Sequence, residues 1–591
     1  MCAVTQLAPG PRALALLSIA ASFALPAAAH AAEAGDLDPS FGSGGLVTLP
    51  SFGDTGNGNA VAIQGDGKIV VAGSQGSAAS TFALARYLSD GTLDPGFGAG
   101  GTVTTALPGG NAAEAVALQE DGKIIAAGTA GNDFALARYL PDGTPDPAFG
   151  VGGTVTTPFP GAGVSVVGRA VAIQPDGRIV VAGGFNSGGG NPSLIFALAR
   201  YEPDGDLDST FDGDGTLTTP FGMPPADISM ANGLAIGDGT ILAAGGVNNP
   251  FGGGGAFAFA RYSMTDGSLD PSFNGGGKAV SVGPPGVEWN EATALAVLVL
   301  PGGGIVAAGS GVSNPGESDA ALVALTDAGT PDASFGSGGI TTTNLPGGVA
   351  QIDALARQSD GKLVVAGNVL TSPTTTQFVL ARYGATGTQD PSFGTGGVVV
   401  TPVTPGGSTA NGVVADADGR LVAAGAAQTS TGSTFALARY FGSPSPPAPP
   451  VSPTPPGSTP APPARRSKRQ SIRGLTLSSR CVRPSSSGPV RIGLRLRLTR
   501  PGPVRIRVDR GVGTKGRKSC PRRSRARHFD GRFEEVVLRR RVAMRPAAVT
   551  RRLTLTARLA PGLYRITVRA YGGGTISRPA RRFVRVLSPS R

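Results

Sequence analysis

The chain has 591 residues, 40% hydrophobic and 15% charged, and its 93 Gly and 50 Pro exclude a mainly helical protein. Residues 31–480 contain no His and no Cys, which excludes a His-based triad, a Cys nucleophile and a Cys/His zinc site in that stretch. The net charge of +12 conceals a division, because residues 465–591 hold 36 Lys and Arg against 4 Asp and Glu, whereas residues 1–464 hold 15 against 35.

The N-terminus has the pattern of a secretory signal peptide. Arg12 precedes an apolar run at residues 13–25 and a small-residue stretch at residues 27–31. This order predicts cleavage after Ala31, and the run is shorter than the ~20 residues of a membrane-spanning helix. We therefore expect residues 1–31 to be removed and the mature protein to be secreted, extracellular or associated with the cell envelope, and not transmembrane.

Residues 36–441 contain one unit repeated seven times. An LDPSFG-like string marks each unit, and its Asp falls at Asp38, Asp94, Asp146, Asp208, Asp270, Asp332 and Asp390. Segments resembling GGxVTT, AVAIQ, DGKIVVAG and FALARY follow each string. Short β-branched or alternating segments bounded by Gly, Asp and Pro are typical of strands, and Asp-Gly between two of them is typical of a hairpin. Four strands per unit predict an all-β fold, a seven-bladed β-propeller over residues 36–441.

The repeated strings also resemble a known family. LDPSFG, AVAIQPDGRIVVAGG at residues 170–184 and FALARYEPDGDLD at residues 196–208 are closely similar to the delta-60 repeats of exported bacterial proteins. The resemblance covers residues 36–440 and implies a β-propeller and export. It implies no established activity and no catalytic residues.

The connections between strands predict where a ligand binds. If the four strands of a unit form a meander in chain order, the loops from strand 1 to 2 and from 3 to 4 share one face of the disc. These loops vary between units, whereas the turns of the other face are nearly identical. Variable loops on a rigid scaffold are the usual place for recognition, so we expect the ligand on the variable face.

The most distinctive variable loop lies in unit five and contains Glu288, Trp289, Asn290 and Glu291. An aromatic ring beside carboxylates and an amide suits a sugar, which predicts a binding site at these residues. The alternative is that Trp289 packs between blades beside two solvated acids. The acids of the repeated Asp-Gly strings fit turns better than calcium loops, so we expect no metal and no cofactor.

Six units carry an Arg near the end of the FALARY-like strand, and these are Arg86, Arg138, Arg200, Arg261, Arg382 and Arg439. In unit five Leu325 is aligned with this Arg, while Gly302 and Gly304 stand in place of the hairpin Asp and Lys. Because both partners are lost together, the sequence predicts that each Arg pairs with the hairpin Asp inside the protein. The alternative is an anion-binding ring.

The C-terminal part predicts a second module. Residues 442–464 are Pro-rich and predict an extended linker. Residues 465–591 alternate apolar residues with Arg over several stretches, which predicts a small antiparallel β-sandwich. The string PGLYRITVRAY at residues 561–571 resembles a strand of immunoglobulin-like and fibronectin-like domains. Cys481 and Cys520 are the thiols left after signal removal, and we expect them to form a disulfide.

The Arg-rich module is expected to bind polyanions. Guanidinium groups pair well with phosphate and carboxylate, so we expect this module to hold the protein at anionic envelope polymers. The alternative is that its arginines dock onto the acidic propeller. It has no recognition-helix pattern, and we expect no specific nucleic-acid partner.

These features favour a secreted or cell-surface binding or scaffold protein over an enzyme. We expect a cell-wall glycan or a protein at the propeller loops. The rival is a polysaccharide hydrolase or lyase, which would have to use carboxylates such as Glu288, Glu291 or Asp227 because no His is available.

Overall fold

The computed structural model describes residues 32–49, 55–77, 80–160, 165–186, 194–222, 228–248, 254–287, 289–312, 318–348 and 350–444, and strands between residues 472 and 586. The chain divides into two compact units, Met1–Pro450 and Val451–Arg591. In both units every regular element of the described residues is a β-strand, which confirms the all-β prediction. No helix in this part of the chain is long and apolar enough to cross a membrane.

The first unit is a seven-bladed β-propeller, as the seven repeats predict. Its described strands begin with β1 (Leu46–Thr48) and form seven four-stranded sheets. Blade 1 comprises β2 (Gly56–Ile63), β3 (Ile69–Gln75), β4 (Thr81–Tyr87) and β5 (Thr102–Thr105). Blade 2 comprises β6 (Asn111–Leu118), β7 (Ile124–Ala130), β8 (Asp133–Tyr139) and β9 (Thr154–Thr157). Blade 3 comprises β10 (Ser165–Ile173), β11 (Ile179–Asn186), β12 (Leu194–Tyr201) and β13 (Thr216–Thr219).

The remaining four blades have the same order of strands. Blade 4 comprises β14 (Ser229–Ile236), β15 (Thr240–Asn248), β16 (Gly255–Ser263) and β17 (Lys278–Ser281). Blade 5 comprises β18 (Glu291–Val299), β19 (Ile305–Val312), β20 (Asp319–Leu325) and β21 (Ile340–Thr343). Blade 6 comprises β22 (Ala350–Arg357), β23 (Leu363–Ser372), β24 (Thr375–Tyr383) and β25 (Val398–Thr401). Blade 7 comprises β26 (Ser408–Ala415), β27 (Leu421–Thr429), β28 (Gly432–Tyr440) and β1.

The AVAIQ-like strand lies nearest the axis of the propeller. The first strands of neighbouring blades, such as β2 and β6, contact one another around the whole ring. The KIVVAG-like and FALARY-like strands follow outward, and the VTT-like strand forms the outer edge. The inner strands therefore surround the axis.

The repeat unit and the blade are out of step by one strand. The VTT-like strand β5 belongs to the second repeat but pairs with β4, with Ala83 opposite Thr104. The turn between them folds back on β4, since the N–H of Asp94 donates to the C=O of Arg86 at 2.8 Å. This corrects the chain-order meander that the sequence analysis assumed. Strands still alternate in direction, so the variable loops share one face, the loop face, and the repeated turns share the other, the turn face.

The N-terminal segment closes the ring. Strand β1 pairs with β28 as the outer strand of blade 7, with Val47 opposite Leu437. The N–H of Gly35 donates to the C=O of Phe441 at 2.7 Å, and Phe41 is fully buried against blade 7. The first and last repeats thus meet in one sheet, so no open sheet edge lies between them.

The hydrophobic core lies between neighbouring blades. Each cluster joins apolar side chains of two adjacent sheets, as Val70 and Phe82 of blade 1 pack with Ile124 of blade 2. The blades are also linked by hydroxyl groups, because Tyr201 of blade 3 donates to Thr157 of blade 2 at 2.8 Å. Burial of these second and third strands on both faces explains their near-continuous apolar runs.

The strands of the second unit form two sheets. They are β29 (Ile472–Leu477), β30 (Cys481–Val482), β31 (Val490–Leu498), β32 (Val504–Gly511), β33 (Phe533–Val542), β34 (Thr550–Ala557), β35 (Gly562–Gly572), β36 (Thr575–Ile576) and β37 (Ala580–Val586). One sheet has the order β29-β31-β34 and the other β30-β37-β35-β32-β33, with β36 beside β35. The sandwich and its immunoglobulin-like strand stay predictions.

Several predicted features lie outside the described residues. These are the signal peptide at residues 1–31, residues 445–464 of the linker, and Cys520 of the predicted disulfide. The export of the chain and the bond between Cys481 and Cys520 therefore stay predictions.

Candidate functional site

The turn face is held together by a repeated ion pair. In the described part of six blades, the Arg of the third strand forms an ion pair with the Asp of the LDPSFG-like turn in the same blade. Arg200 Nε lies 2.7 Å from Asp208 Oδ2, and both side chains are buried. This confirms that the Arg ring acts inside the protein and not as an anion site.

The same Arg reaches the next blade. Arg200 Nη1 donates to the C=O of Met264 in the turn of blade 4, and Nη2 donates to the C=O of Thr265 at 3.0 Å. The guanidinium also lies 4.5 Å from the ring centre of Phe211. We call the Arg, its turn Asp and these contacts to the next blade the Arg latch.

Hydrogen bonds hold the latch carboxylates ionised. Burial alone would raise the pKa of Asp208, but hydrogen bonds from Thr210 and the charge of Arg200 outweigh it and hold the pKa below its ordinary value. The pKa values of the six latch carboxylates are all lowered, so these groups are charged at neutral pH and pair within the protein.

The partner of each Arg differs from the predicted one. The hairpin acids are exposed, and Asp66 is within 4.0 Å of Lys68 alone among the described cations. The hairpin Lys or Arg instead contacts the turn Asp, as Lys68 Nζ lies 2.7 Å from Asp94 Oδ2. From the sequence, either the turn Asp or the hairpin Asp could pair with the Arg. The turn Asp is the partner because the turn folds back onto the third strand, which the sequence does not show.

Unit five is aligned differently from the sequence prediction. Ala324, not Leu325, occupies the Arg position, since Ala324 lies opposite Val306 as Arg86 lies opposite Val70. Leu325 takes the place of the Tyr that ends the strand in other blades. Unit five lacks both the Arg and the Tyr, so no residue of its third strand shows in the sequence how the strand aligns with those of the other units.

Blade 4 keeps its Arg latch but lacks the hairpin cation. Thr240, the first residue of β15, has the position of Lys68 in blade 1, and the hairpin is one residue shorter. Two residues lie between the bonded pair Gly237 and Thr240. The side chain of Asp270 is 19% exposed, against 2% for Asp208 in the equivalent place.

A cavity of about 740 Å³ lies beside this difference, on the turn face between blades 4 and 5. Its polar lining includes Asp238, Asp270, Asp327 and Arg261. Arg261 contacts both Asp270 and Asp327, at 2.8 Å each. Blade 5 adds a glycine-rich hairpin, where a Cβ at Gly302 would meet no atom within 4 Å. The site was not predicted from the sequence, because the variable loops that indicate recognition lie on the opposite face. Its signal in the sequence is that IGDGTI in blade 4 and LPGGGI in blade 5 replace the usual QxDGKI.

A ring of bulged residues surrounds the axis and was also missed. Each inner strand shifts register at the same position, and the extra residues are Asn59, Glu114, Arg169, Asn232, Leu295, Asp353 and Asn411. The Asn members link blades, as Asn232 Nδ2 donates to the C=O of Ala294 at 3.0 Å. Arg169 lies 3.6 Å from Glu114. The signal was the varied polar residue that precedes six of the seven AVAIQ-like strings.

Asp353 is the acid of this ring that contacts no cation in the described structure. Its Oδ1 accepts a hydrogen bond from Gln351 at 2.7 Å, while the buried Oδ2 accepts none from the described residues. Burial raises the pKa of Asp353 to about 6, and the hydrogen bond from Gln351 opposes this only in part.

We expect Asp353→Asn to stabilise the protein at neutral pH. Because the pKa is raised in the folded state, the stability that this group contributes is highest below about pH 4 and is lost as the pH rises through about 6. An amide carries no charge to bury and can donate to the next blade as Asn232 does. The free energy of unfolding in urea should rise by about 1–3 kcal/mol at pH 7.5 and change little at pH 4.

Asn411→Asp is the matched control, because it places an acid in the same ring position of blade 7. It removes the bond from Asn411 Nδ2 to the C=O of Gly58, and it should destabilise the protein at pH 7.5 more than at pH 4. An effect of Asp353→Asn that is equal at both pH values would contradict the role of ionisation.

Three of the four residues of the predicted loop-face site are described, and one of them is buried. Trp289 is 2% exposed and packs on Phe257, with ring centres 5.4 Å apart. Asn290 and Glu291 are exposed, and the N–H of Asn290 donates to the C=O of Val312 at 2.7 Å. Glu288 lies outside the described residues. The indole therefore has the packed position that the sequence left open, and binding at these four residues stays a prediction.

The Asp-Gly strings form turns where they are described. Asp212 has a positive φ of 51°, and Asp214 Oδ1 accepts hydrogen bonds from the N–H and the Oγ1 of Thr216 at 2.8 Å. Within the described ranges, no three His, Cys, Asp or Glu side chains come together as a possible metal site.

Comparison with whole known proteins supports no inference about fold or function. None of the curated proteins compared matches the chain. Among solved structures, alpha-2-macroglobulin of Escherichia coli activated by porcine elastase is 11% identical, over 92% of this chain and 41% of that one, with a TM-score of 0.15. A Salmonella alpha-2-macroglobulin mutant is 10% identical, over 92% and 44%, with a TM-score of 0.12. This chain spans about two fifths of the length of these proteins, and such low TM-scores support no inference about fold or function.

Five stretches of the chain match one family model. It is described as "Domain of unknown function (DUF5122) beta-propeller", and the matched residues are 64–97, 119–149, 174–211, 237–273 and 358–393. Each match runs from the first hairpin of a blade to its LDPSFG-like turn. Blades 5 and 7 have no match. Blade 5 lacks the Arg, and blade 7 takes its LDPSFG-like turn from the N-terminal segment of the chain. The delta-60 likeness stays a prediction, and five of the seven repeats match the DUF5122 beta-propeller family.

Proposed function

We propose that the protein is a secreted or cell-surface binding or scaffold protein that holds a partner on the loop face of its propeller. Exposed apolar side chains carry this proposal. Five large apolar side chains of the described residues are exposed, and Val151 and Leu207 lie in separate turns of the turn face. The other three are Ile228, Val282 and Val287, which are 49%, 37% and 43% exposed. All three lie in the loops that enter blades 4 and 5 on the loop face. Exposed apolar groups collected in neighbouring loops are typical of an interaction surface.

The chemistry of this surface favours a protein partner. Aliphatic side chains gain from burial against another apolar surface, whereas a sugar ring is best held by an exposed aromatic ring. The indole of Trp289 is buried. We therefore propose a protein at the loop face, and a cell-wall glycan is the alternative.

We further propose that the Arg-rich module retains the protein at the envelope. Its 36 Lys and Arg against 4 acids would attract anionic envelope polymers through charge-assisted hydrogen bonds. Retention of this kind weakens with salt, whereas the apolar contact of the loop face does not. The two contributions can therefore be separated.

Charge changes on the loop face test the proposal. We expect the double variant Ile228→Lys and Val287→Lys to bind isolated envelopes of the producing cells about tenfold or more weakly, measured by sedimentation at 0.5 M NaCl. Val151→Lys is the matched control, because Val151 is 86% exposed on the turn face. It should bind as the wild type does.

Treatment of the envelopes identifies the partner class. Proteinase treatment should abolish binding at 0.5 M NaCl, and digestion of the cell wall with a muramidase should not. The reverse pattern would favour the glycan. Equal binding by the double variant and the wild type would contradict recognition by the loop face.

The rival enzyme draws no support from Glu291 or from Asp270 of the turn-face cavity. Glycoside hydrolysis needs one carboxyl group with a raised pKa as general acid. Burial alone would raise the pKa of Asp270 in the turn-face cavity, but hydrogen bonds from Ser272 and the charge of Arg261 hold it below its ordinary value. Glu291 is exposed, and Glu288 and Asp227 lie outside the described residues. Binding is therefore the function that we propose.

A further inference from the structure

The propeller itself shows which group fits beside the turn Asp. In five of the described blades a hairpin Lys or Arg lies beside the carboxylate that the latch Arg also contacts. The distances from the cation nitrogen to Oδ2 are 2.7 Å for Lys68 and Asp94, 3.0 Å for Lys123 and Asp146, 3.0 Å for Arg178 and Asp208, 2.9 Å for Lys362 and Asp390, and 3.2 Å for Arg420 and Asp38. The position therefore accepts either an ammonium or a guanidinium group.

Blade 4 has the carboxylate without the hairpin cation. Asp270 accepts hydrogen bonds from Arg261 and from the N–H and hydroxyl of Ser272, as its equivalents do from their neighbours. Thr240 stands in the Lys position, and its short neutral side chain supplies no cation to Asp270. The cavity of about 740 Å³ lies here and includes Asp270 in its lining.

The cavity combines negative charge with apolar walls. Three carboxylates line it against one guanidinium, so its formal charge is negative. Leu300, Pro301 and Ile236 supply apolar surface beside them. A ligand that fits both features has an ammonium or guanidinium head on a short hydrocarbon stem, since such a stem packs on apolar walls while the head pairs with the acids.

We propose that this cavity between blades 4 and 5 binds an alkylammonium or alkylguanidinium group, which takes beside Asp270 the place that a hairpin Lys or Arg takes in the other blades. The group can come from a Lys or Arg side chain of a protein or from a free aliphatic amine. The site lies on the turn face, so it is separate from the surface that we propose for the loop face.

The shorter hairpin of blade 4 and the glycines of blade 5 give a ligand access. A Cβ added at Gly239 or at Gly302 would meet no atom within 4 Å, so the tips of both hairpins are open. The side chain of Asp327 is 70% exposed and stands at the outer part of the lining. An amine can thus pass from solvent along acidic groups to Asp270.

The proposal can be tested by isothermal calorimetry. Full-length protein is titrated with 1,5-diaminopentane and, separately, with Nα-acetyl-lysine methylamide. At least one of the two amines should bind, whereas 1-pentanol, which has a similar stem and no charge, should not. Thr240→Lys should weaken amine binding by about tenfold or more, because it supplies the cation that the other blades carry. Its thermal midpoint should be equal to or above that of the wild type, which shows that the fold is intact.

Asp332→Asn is the control for loss of a turn carboxylate outside the cavity. It removes the equivalent carboxylate of blade 5, which does not line the cavity, and should leave amine binding unchanged. Binding of amines by Thr240→Lys as tightly as by the wild type would overturn the proposal, as would equal binding of 1-pentanol. If the acetyl-lysine compound binds and diaminopentane does not, the ligand is a protein side chain; the opposite result indicates a free amine. Loss of envelope binding in the loop-face variants bears on the other proposal alone.

Discussion

Asp208→Ala should lower the free energy of unfolding by about 3–5 kcal/mol, because it leaves a fully buried guanidinium without its carboxylate. Arg200 has no exposed surface, and its Nε lies 2.7 Å from Asp208 Oδ2. The variant removes one partner of a buried pair while the other keeps its contacts with blade 4. Urea unfolding at pH 7, followed by far-ultraviolet circular dichroism, measures the change.

Asp332→Ala is the control for this prediction. Asp332 accepts hydrogen bonds from the N–H and Oγ of Ser334 at 3.0 and 2.7 Å, much as Asp208 does from Thr210 at 3.0 and 2.6 Å. Ala324 stands in the Arg position of that blade, so Asp332 has no latch to lose. We expect a cost of about 1 kcal/mol. Equal losses for the two variants would mean that the turn Asp acts through its turn alone and not through the latch.

Phe41→Ala should also cost about 3–5 kcal/mol, although Phe41 precedes every complete blade in the chain. Its ring is fully buried, packs in the core between blades 7 and 1, and lies 4.5 Å from the guanidinium of Arg439. An N-terminal segment that merely covered the surface would lose far less. Thermal and urea unfolding of the full-length protein measure the effect.

Phe97→Ala is the reference against which the loss of stability in Phe41→Ala is compared. Phe97 has the same motif position inside the ring, is equally buried, and lies 4.4 Å from the guanidinium of Arg86. The two variants should therefore lose similar amounts of stability. A much smaller loss for Phe41→Ala would show that the N-terminal segment unfolds apart from blade 7.

The number of blades and their strands could be predicted from the sequence because each repeat carries the same strong turn signals. Asp-Gly pairs mark the hairpin turns, and the positive φ of 89° at Gly67 shows why glycine is needed there. The pairing partner of the VTT-like strand could not be predicted in this way. Periodicity gives the face of a strand and not its neighbour, and only the turn that folds back through Asp94 decides it.

The candidate sites were less predictable, because they arise where the repeat departs from its own pattern. The cavity depends on Thr240 in place of a Lys and on the glycines of blade 5, which are losses and not motifs. The axial position of Asp353 depends on a bulge that only the register of two strands reveals. Trp289 attracted attention as a rare residue, but burial against Phe257 is a tertiary effect.

Closure of the ring by β1 can be tested by a cross-link between Thr48→Cys and Ala436→Cys. Thr48 lies opposite Ala436, between the bonded positions where the N–H of Leu49 donates to the C=O of Phe435 and the N–H of Arg439 to the C=O of Gly45. Such a non-hydrogen-bonded pair has Cα atoms about 4.5 Å apart, which suits a disulfide. Mass spectrometry of peptides from the oxidised protein should find the two segments linked.

The control pair is Thr48→Cys with Ala83→Cys. Ala83 has the same place in blade 1 but lies opposite Thr104, so the account predicts no link to residue 48. A disulfide in the pair 48 and 436, and none in the pair 48 and 83, is the result expected of a seven-bladed ring closed by its N-terminal strand. Absence of the first link, or formation of the second, would contradict it.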